Sequence, residues 1–155
     1  MDFENLEAII AFAIEKEKEA ADFYTELSTQ AAMSGIKQML LEYAAEEKKH
    51  QNLLENITTA GDDGSLEEYE FKWIKDLKRS DYMTTLIYSE DMGYRDILAL
   101  GMKREEAALK LYRTLLENAQ DERYQKIFKM LCQEEAKHKL ALETLYDDHM
   151  AEMGD

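Results

Sequence analysis

Residues 46–55 read EEKKHQNLLE, and residues 134–143 read EEAKHKLALE. Each stretch places a histidine three residues after a glutamate: His50 follows Glu47, and His138 follows Glu135. Positions i and i+3 of a helix lie on one face, so each pair can grip one ion. A single pair of this kind in a glutamate-rich helix is usually solvated surface. The repetition is what predicts a shared role.

The repeat extends over most of the chain. At an offset of 88 residues the two stretches align without a gap, and so do the segments that precede them. The same offset places Glu17 on Glu105 and Tyr24 on Tyr112. A helical hairpin duplicated around an approximate two-fold axis is the simplest explanation.

Four long segments show the helical period. In the first, with Asp2 as its expected N-cap, the inward-facing positions advance by alternating steps of four and three: Leu6, Ile10, Ala13, Glu17, Ala20, Tyr24, Leu27 and Ala31. The other segments cover about 34–60, 91–118 and 121–149. The chain has no proline and is rich in strong helix formers. The sequence therefore predicts an all-α fold.

The lengths of the connections predict the topology. Short connections join the first two and the last two segments, which gives antiparallel hairpins over about 2–60 and 91–149. Residues 61–90 can run the length of a 25-residue helix, roughly 38 Å, and so make helices 2 and 3 parallel. Within them Leu66, Tyr69, Trp73 and Leu77 predict a short amphipathic helix. We expect one domain over residues 1–155, a four-helix bundle with one long crossover between helices 2 and 3.

The middle of each inward-facing stripe changes from apolar residues to glutamate, or to glutamate with histidine. Alone, Glu17 or Glu105 is explained by an ion pair with a lysine. Together, the stripes predict a metal centre at mid-bundle with six ligands: Glu17, Glu47, His50, Glu105, Glu135 and His138. Two divalent ions would balance the four carboxylates, some of which can bridge. Without metal, burial and crowding should raise the carboxyl pKa values.

Two tyrosines and the third histidine complete the candidate residues. Tyr24 and Tyr112 each lie seven residues, or two turns, after the stripe glutamate. They either pack in the core or serve the centre, by hydrogen bonding to a ligand carboxylate or by electron transfer. His149 has no partner at ligand spacing and is expected at the surface.

Composition excludes several classes of protein. The net charge is −15, which disfavours binding to nucleic acid or to an anionic membrane. Cys132 is the only cysteine, so there is no intrachain disulfide framework and no cysteine-ligated metal domain. The N-terminus is acidic where a signal peptide needs basic residues, and no apolar run is long enough for a membrane span. We expect a cytoplasmic protein.

The six candidate ligands resemble the pattern of ferritin-like di-iron carboxylate proteins. The segments AIEKEKEAADFY and GMKREEAALKLY, each followed by an EExxH helix, look most like the rubrerythrin branch. That resemblance implies a ferritin-like bundle with two iron ions, for which Mn or Zn could substitute. It also implies an oxidoreductase of oxidative-stress metabolism that reduces hydrogen peroxide or dioxygen, with an external electron-donor protein and a small homo-oligomer, most simply a dimer.

Two departures keep alternatives open. Rubrerythrins typically carry a further glutamate one turn after the third-helix ligand, where this sequence has Ala108. They usually also carry a rubredoxin domain, which these 155 residues lack. The six-ligand set is equally similar to the bacterioferritin ferroxidase centre. The alternatives are therefore an iron-binding or storage protein that oxidises Fe(II), or a bundle that binds Zn or Mn without redox turnover.

Overall fold

The computed structural model describes residues 6–30, 34–56, 69–79 and 93–154. Over these residues the chain forms helices α1 (Leu6–Gln30), α2 (Ser34–Glu55), α3 (Tyr94–Asn118) and α4 (Glu122–Gly154). The predicted all-α fold is confirmed. Helix α4 continues five residues beyond its expected end, whereas α3 begins three residues later than expected.

The helix ends follow from local chemistry. Asp121 caps α4, because its side chain accepts hydrogen bonds from the backbone N–H groups of Arg123 and Tyr124, at 2.8 and 3.4 Å. Gly93 precedes α3 and provides no side-chain cap. The connections between paired helices are short, residues 31–33 and 119–121, which holds α1 against α2 and α3 against α4. The expected cap Asp2 and stripe residue Ala31 lie outside the described residues.

The two hairpins meet through α1 and α3, which run antiparallel. Tyr24 near the end of α1 contacts Glu105 in the first half of α3, and Tyr112 late in α3 contacts Glu17 earlier in α1. Since each helix is also antiparallel to its hairpin partner, α2 and α3 are parallel, as the long connection predicted. Helices α3 and α4 pack closely at Gly101. A Cβ atom added to this residue would lie 3.1 Å from Cδ1 of Leu142.

Two apolar clusters fill the bundle on either side of its middle. One includes Ala13, Leu115 and Phe128, and the other includes Leu40 and Leu98, all almost fully buried. Burying a side chain of this size contributes about 1.5–3 kcal/mol. The predicted inward stripe of α1 is confirmed at five positions, which are buried: Ile10, Ala13, Glu17, Tyr24 and Leu27. The polar layer between the clusters is therefore held by apolar packing on both sides.

The described part of the crossover, residues 69–79, is irregular and lies along α4. The expected amphipathic helix is therefore wrong over these residues; Leu66 lies outside the described part. Its backbone N–H groups at Lys72 and Arg79 instead donate to side chains of α4, Gln133 and Glu143, at 2.8 and 2.9 Å. Because α4 satisfies these donors, the segment does not need helical hydrogen bonds. Trp73 projects into solvent and is 83% exposed.

Candidate metal centre

The structure brings all six predicted ligands together at mid-bundle. Helices α1 and α3 contribute one glutamate each, and α2 and α4 contribute one glutamate–histidine pair each. None of the six is more than 5% exposed: Glu17, Glu47, His50, Glu105, Glu135 and His138. The 3.6-residue period accounts for this placement, because each residue continues the apolar stripe of its own helix. Their role as ligands stays a prediction.

These side chains form two overlapping groups that could each hold an ion. The first comprises Glu17 and His50 with Glu47 and Glu135, and the second comprises Glu105 and His138 with the same two glutamates. Within each group one donor atom per residue lies within 4.8 Å of the others. Glu47 and Glu135 therefore belong to both groups and can bridge two ions.

The groups are related by the two-fold axis that the 88-residue offset predicted. His50 Nδ1 lies 3.0 Å from Oε1 of Glu135, and His138 Nδ1 lies 2.9 Å from Oε1 of Glu47. Each histidine of one hairpin thus faces the glutamate of the other hairpin. The distances from Nδ1 of His50 and His138 to the α1 and α3 carboxylates are both 3.5 Å.

Several polar atoms of this cluster are buried without a well-aligned hydrogen bond, although two of them, His138 Nδ1 and Glu47 Oε1, lie 2.9 Å apart. They are Glu17 Oε2, both oxygens of Glu47, Glu105 Oε2 and His138 Nδ1. Leaving such atoms unsatisfied costs about 1–3 kcal/mol each, and more where they are charged. All of them lie in the two groups, and carboxylate oxygens with imidazole nitrogens suit iron, zinc and manganese. The residues present fit a pair of divalent transition-metal ions.

The pKa values of the four glutamates do not all shift as the sequence predicted. Burial raises the pKa of Glu47 and of Glu135 well above the ordinary value. A hydrogen bond with Glu17 adds to the shift at Glu47, and the negative charge of the neighbouring carboxylates adds to it at both. Burial also acts to raise the pKa of Glu105, but hydrogen bonds and the charge of His138 outweigh it, and the net shift is downward. The expectation of a raised pKa is therefore wrong at Glu105.

Both candidate tyrosines touch the cluster. The Tyr24 hydroxyl donates to Glu105 Oε1, and the Tyr112 hydroxyl donates to Glu17 Oε1. Burial and the adjacent carboxylates raise the pKa of both phenols well above 10, so they remain protonated donors. Core packing alone therefore does not account for the two tyrosines, because each hydroxyl donates a hydrogen bond to a candidate ligand.

Sequence reasoning missed two residues beside His138. Glu46 Oε2 lies 2.5 Å from His138 Nε2, and the Tyr43 ring stacks on the imidazole with centroids 4.1 Å apart. The repeated EE dipeptide was the available signal for Glu46, but it does not say which of its two copies reaches a histidine. The third histidine, His149, lies away from the cluster, half-buried against Tyr94.

A cavity of about 510 Å³ reaches the cluster between α1 and α3. Its floor is formed by the four candidate glutamates and Tyr112. Its walls are largely apolar, and Ala20 and Ala108, which are related by the repeat, leave the space open. Both alanines are only half-buried for this reason, although they occupy inward stripe positions. The cavity therefore gives a small molecule a route to the candidate ligands.

The fold and the site together define a class. A four-helix bundle with a two-fold-related set of buried carboxylates and histidines is the architecture of the ferritin-like dinuclear metal proteins. Within that class the chain belongs to the rubrerythrin family, whose profile matches residues 8–146. Comparisons with curated proteins and with solved structures gave no match. None of the helices in the described ranges has the length and apolar character needed to cross a membrane.

Proposed function

We propose that the chain is a di-iron oxidoreductase that reduces hydrogen peroxide or dioxygen. The observation that carries the proposal is the pair of overlapping groups that share Glu47 and Glu135 at the floor of a cavity. Two ferrous ions, when bound, would supply the two electrons that convert hydrogen peroxide and two protons into two molecules of water. Membership of the rubrerythrin family supports iron as the metal.

The chain's own residues have distinct roles in this proposal. Glu47 and Glu135 would hold both ions, while Glu17 with His50 and Glu105 with His138 would each complete one position. Tyr112 and Tyr24 orient the outer carboxylates by donating a hydrogen bond to Glu17 and Glu105. An oriented ligand loses less entropy when the metal binds, which favours a fixed geometry.

The surroundings of the site favour a small oxidant. Apolar clusters pack on both sides of the polar layer, and the α1–α3 cavity gives a small molecule access to it. Electrons must then come from outside, and we propose an external electron-donor protein. We further propose a cytoplasmic location, no nucleic-acid or membrane partner, and a small homo-oligomer, most simply a dimer.

Anaerobic loading with Fe(II), followed by rapid mixing with hydrogen peroxide or with dioxygen, tests the proposal. We expect the diferrous protein to be oxidised faster by hydrogen peroxide than by dioxygen at equal concentrations. Glu135→Ala should abolish both reactions, and the exposed substitution Ala151→Leu should change neither. Oxidation that is faster with dioxygen would contradict the peroxide assignment.

One observation favours a second function, oxidation of Fe(II) for iron binding or storage. Ala108 lines the cavity at the position where the resemblance to rubrerythrins leads one to expect a further glutamate. Without that carboxylate the candidate ligand set is the same as the six-ligand ferroxidase pattern. Faster reaction with dioxygen, together with a large closed shell in size-exclusion chromatography, would support this function. Tight binding of zinc or manganese with no oxidation of bound Fe(II) would instead indicate a non-redox site.

A further inference from the structure

The two-fold relation of the site breaks down behind the histidines. His138 is held on its outer side by Glu46, whose Oε2 lies 2.5 Å from the imidazole Nε2. The Tyr43 ring stacks on the same imidazole, with an interplanar angle of 23°. His138 therefore has its ring plane and its outer nitrogen fixed before any metal binds.

In the other half of the repeat, the described residues do not give His50 the same support. The 88-residue offset places Glu134 opposite Glu46, but Glu134 Oε2 accepts a hydrogen bond from the crossover residue Tyr69 at 2.8 Å. Glu134 also pairs with Lys137 at 2.8 Å. The counterpart of Tyr43 is Leu131, which has no ring to stack. Among the described residues, none makes a hydrogen bond with His50 Nε2.

This difference matters because Nδ1 of both histidines faces the carboxylate cluster. A metal-binding histidine is oriented by the partner of its other ring nitrogen. A carboxylate that accepts a hydrogen bond from Nε2–H favours the tautomer whose Nδ1 lone pair points at the metal, and it makes that nitrogen more basic. Glu46 gives this advantage to His138, and no described residue gives it to His50.

We propose that the two metal positions are unequal, with Glu46 as a positioning residue that makes the His138 position the tighter one and the first to fill. The proposal rests on the dinuclear site of the proposed function. The crossover contributes to the inequality, because Glu134 accepts its hydrogen bond from Tyr69 and not from a histidine. The repeat thus builds two similar positions, and the contacts outside the ligand shell distinguish them.

Anaerobic titration of metal-free protein with Co(II), followed by its visible absorption, tests the proposal without any oxidant. Wild type should bind two ions in two resolved steps. Glu46→Ala should weaken the first step about 10- to 100-fold, the usual cost of removing such a partner. The matched control is Glu134→Ala, the same substitution at the equivalent position, and it should change either step by less than about threefold. Glu46 is 43% exposed and Glu134 is 21% exposed, so neither truncation opens a cavity in the core.

Combined variants distinguish a role of Glu46 in positioning His138 from a merely structural role. In a His138→Ala background, Glu46→Ala should cost little further affinity, whereas in a His50→Ala background it should keep its full effect. Glu46→Gln, whose amide oxygen can still accept from Nε2–H, should restore part of the affinity. Equal effects of Glu46→Ala and Glu134→Ala, or equal effects in both backgrounds, would overturn the inequality and leave the dinuclear site standing. Failure of wild type to bind two ions would instead overturn the proposed function itself.

Discussion

The Tyr24 hydroxyl on α1 donates a hydrogen bond to Glu105 on α3, and the equivalent Tyr112 hydroxyl on α3 donates one to Glu17 on α1. Each tyrosine therefore binds a candidate ligand of the other hairpin, although a glutamate of its own helix lies seven residues away on the same stripe. These two buried hydrogen bonds join the hairpins where α1 and α3 meet. They connect the positioning of the outer carboxylates to the association of the two halves.

Removal of either hydroxyl should destabilise the metal-free protein. Tyr24→Phe and Tyr112→Phe each leave a buried carboxylate oxygen without its donor, which should cost about 1–3 kcal/mol in the free energy of unfolding. Urea unfolding in the presence of chelator measures this. Tyr146→Phe is the control, since the Tyr146 hydroxyl bonds no described residue. Unchanged stability of both variants would contradict the role of these hydrogen bonds.

Substitution of a shared glutamate should weaken both ions, whereas substitution of an unshared one should weaken mainly one. We expect two divalent ions per chain in wild type. Glu47→Ala and Glu135→Ala should therefore lower the affinity for both ions, while Glu17→Ala should chiefly affect the ion beside His50. Elemental analysis after anaerobic Fe(II) loading and Co(II) titration measure the effect, with circular dichroism to verify helicity. A wild type that is fully helical but holds a single ion would contradict the paired site.

Metal-free and metal-loaded protein should respond to pH in opposite directions. The pKa values of Glu47 and Glu135 are raised in the folded state, so the folded protein retains protons that the unfolded chain releases above about pH 4.3. The stability they contribute to the metal-free protein is full below that pH and is lost as pH rises through the raised folded values. Metal favours the ionised forms, and at 100 times Kd it should add about 2.7 kcal/mol.

Urea unfolding between pH 5 and pH 8, with chelator or with Mn(II), tests these opposite pH dependences of the free energy of unfolding. Glu135→Gln keeps the shape of the side chain but cannot ionise, so it should flatten the pH dependence of the metal-free protein. A metal-free stability that rises from pH 5 to pH 8 because of these groups would contradict the raised pKa values.

The same substitution at two glutamates should have opposite effects on the metal-free protein. Burial outweighs the contact of Glu47 with His138 and raises the pKa of this carboxyl, so Glu47→Leu should raise the melting temperature in chelator near pH 7. The partners of Glu105, which include the Tyr24 hydroxyl and His138, outweigh burial and lower its pKa, so Glu105→Leu should lower the melting temperature. A gain in stability from Glu105→Leu would show that these partners do not compensate the buried charge.

Narrowing the cavity should discriminate between oxidants by size. Ala108→Leu places a larger side chain in the α1–α3 opening, so it should slow oxidation of the diferrous protein by tert-butyl hydroperoxide roughly tenfold or more. Hydrogen peroxide, which is much smaller, should lose less than about threefold in rate. Stopped-flow absorbance measures both, with Ala151→Leu at an exposed position of α4 as the control. Equal slowing of both peroxides would argue against this route of access.

The sequence by itself determined the helices, their stripes and the six residues that meet at mid-bundle. This was possible because helical periodicity is local: a residue three or four positions along faces the same way, whatever packs against it. The 88-residue repeat then supplied the symmetry, and with it the grouping of Glu17 with Glu105 and of Glu47 with Glu135. These inferences needed only spacing within helices and an approximate two-fold axis.

Tertiary structure alone decided which side chains pair across that axis. Packing of α1 against α3 directs Tyr24 to Glu105. Hydrogen bonds with Glu135 and His138, the charge of His138 and last the Tyr24 hydroxyl outweigh burial and reverse the pKa shift expected at Glu105. Side chains of α4 satisfy backbone donors of the crossover, where a helix was expected. Glu134 is hydrogen-bonded to Tyr69, whereas Glu46 is hydrogen-bonded to His138. The contacts between hairpins and with the crossover join residues more than 60 positions apart. They depend on interhelical distances and on the path of a connection, neither of which is encoded in the period of any single helix.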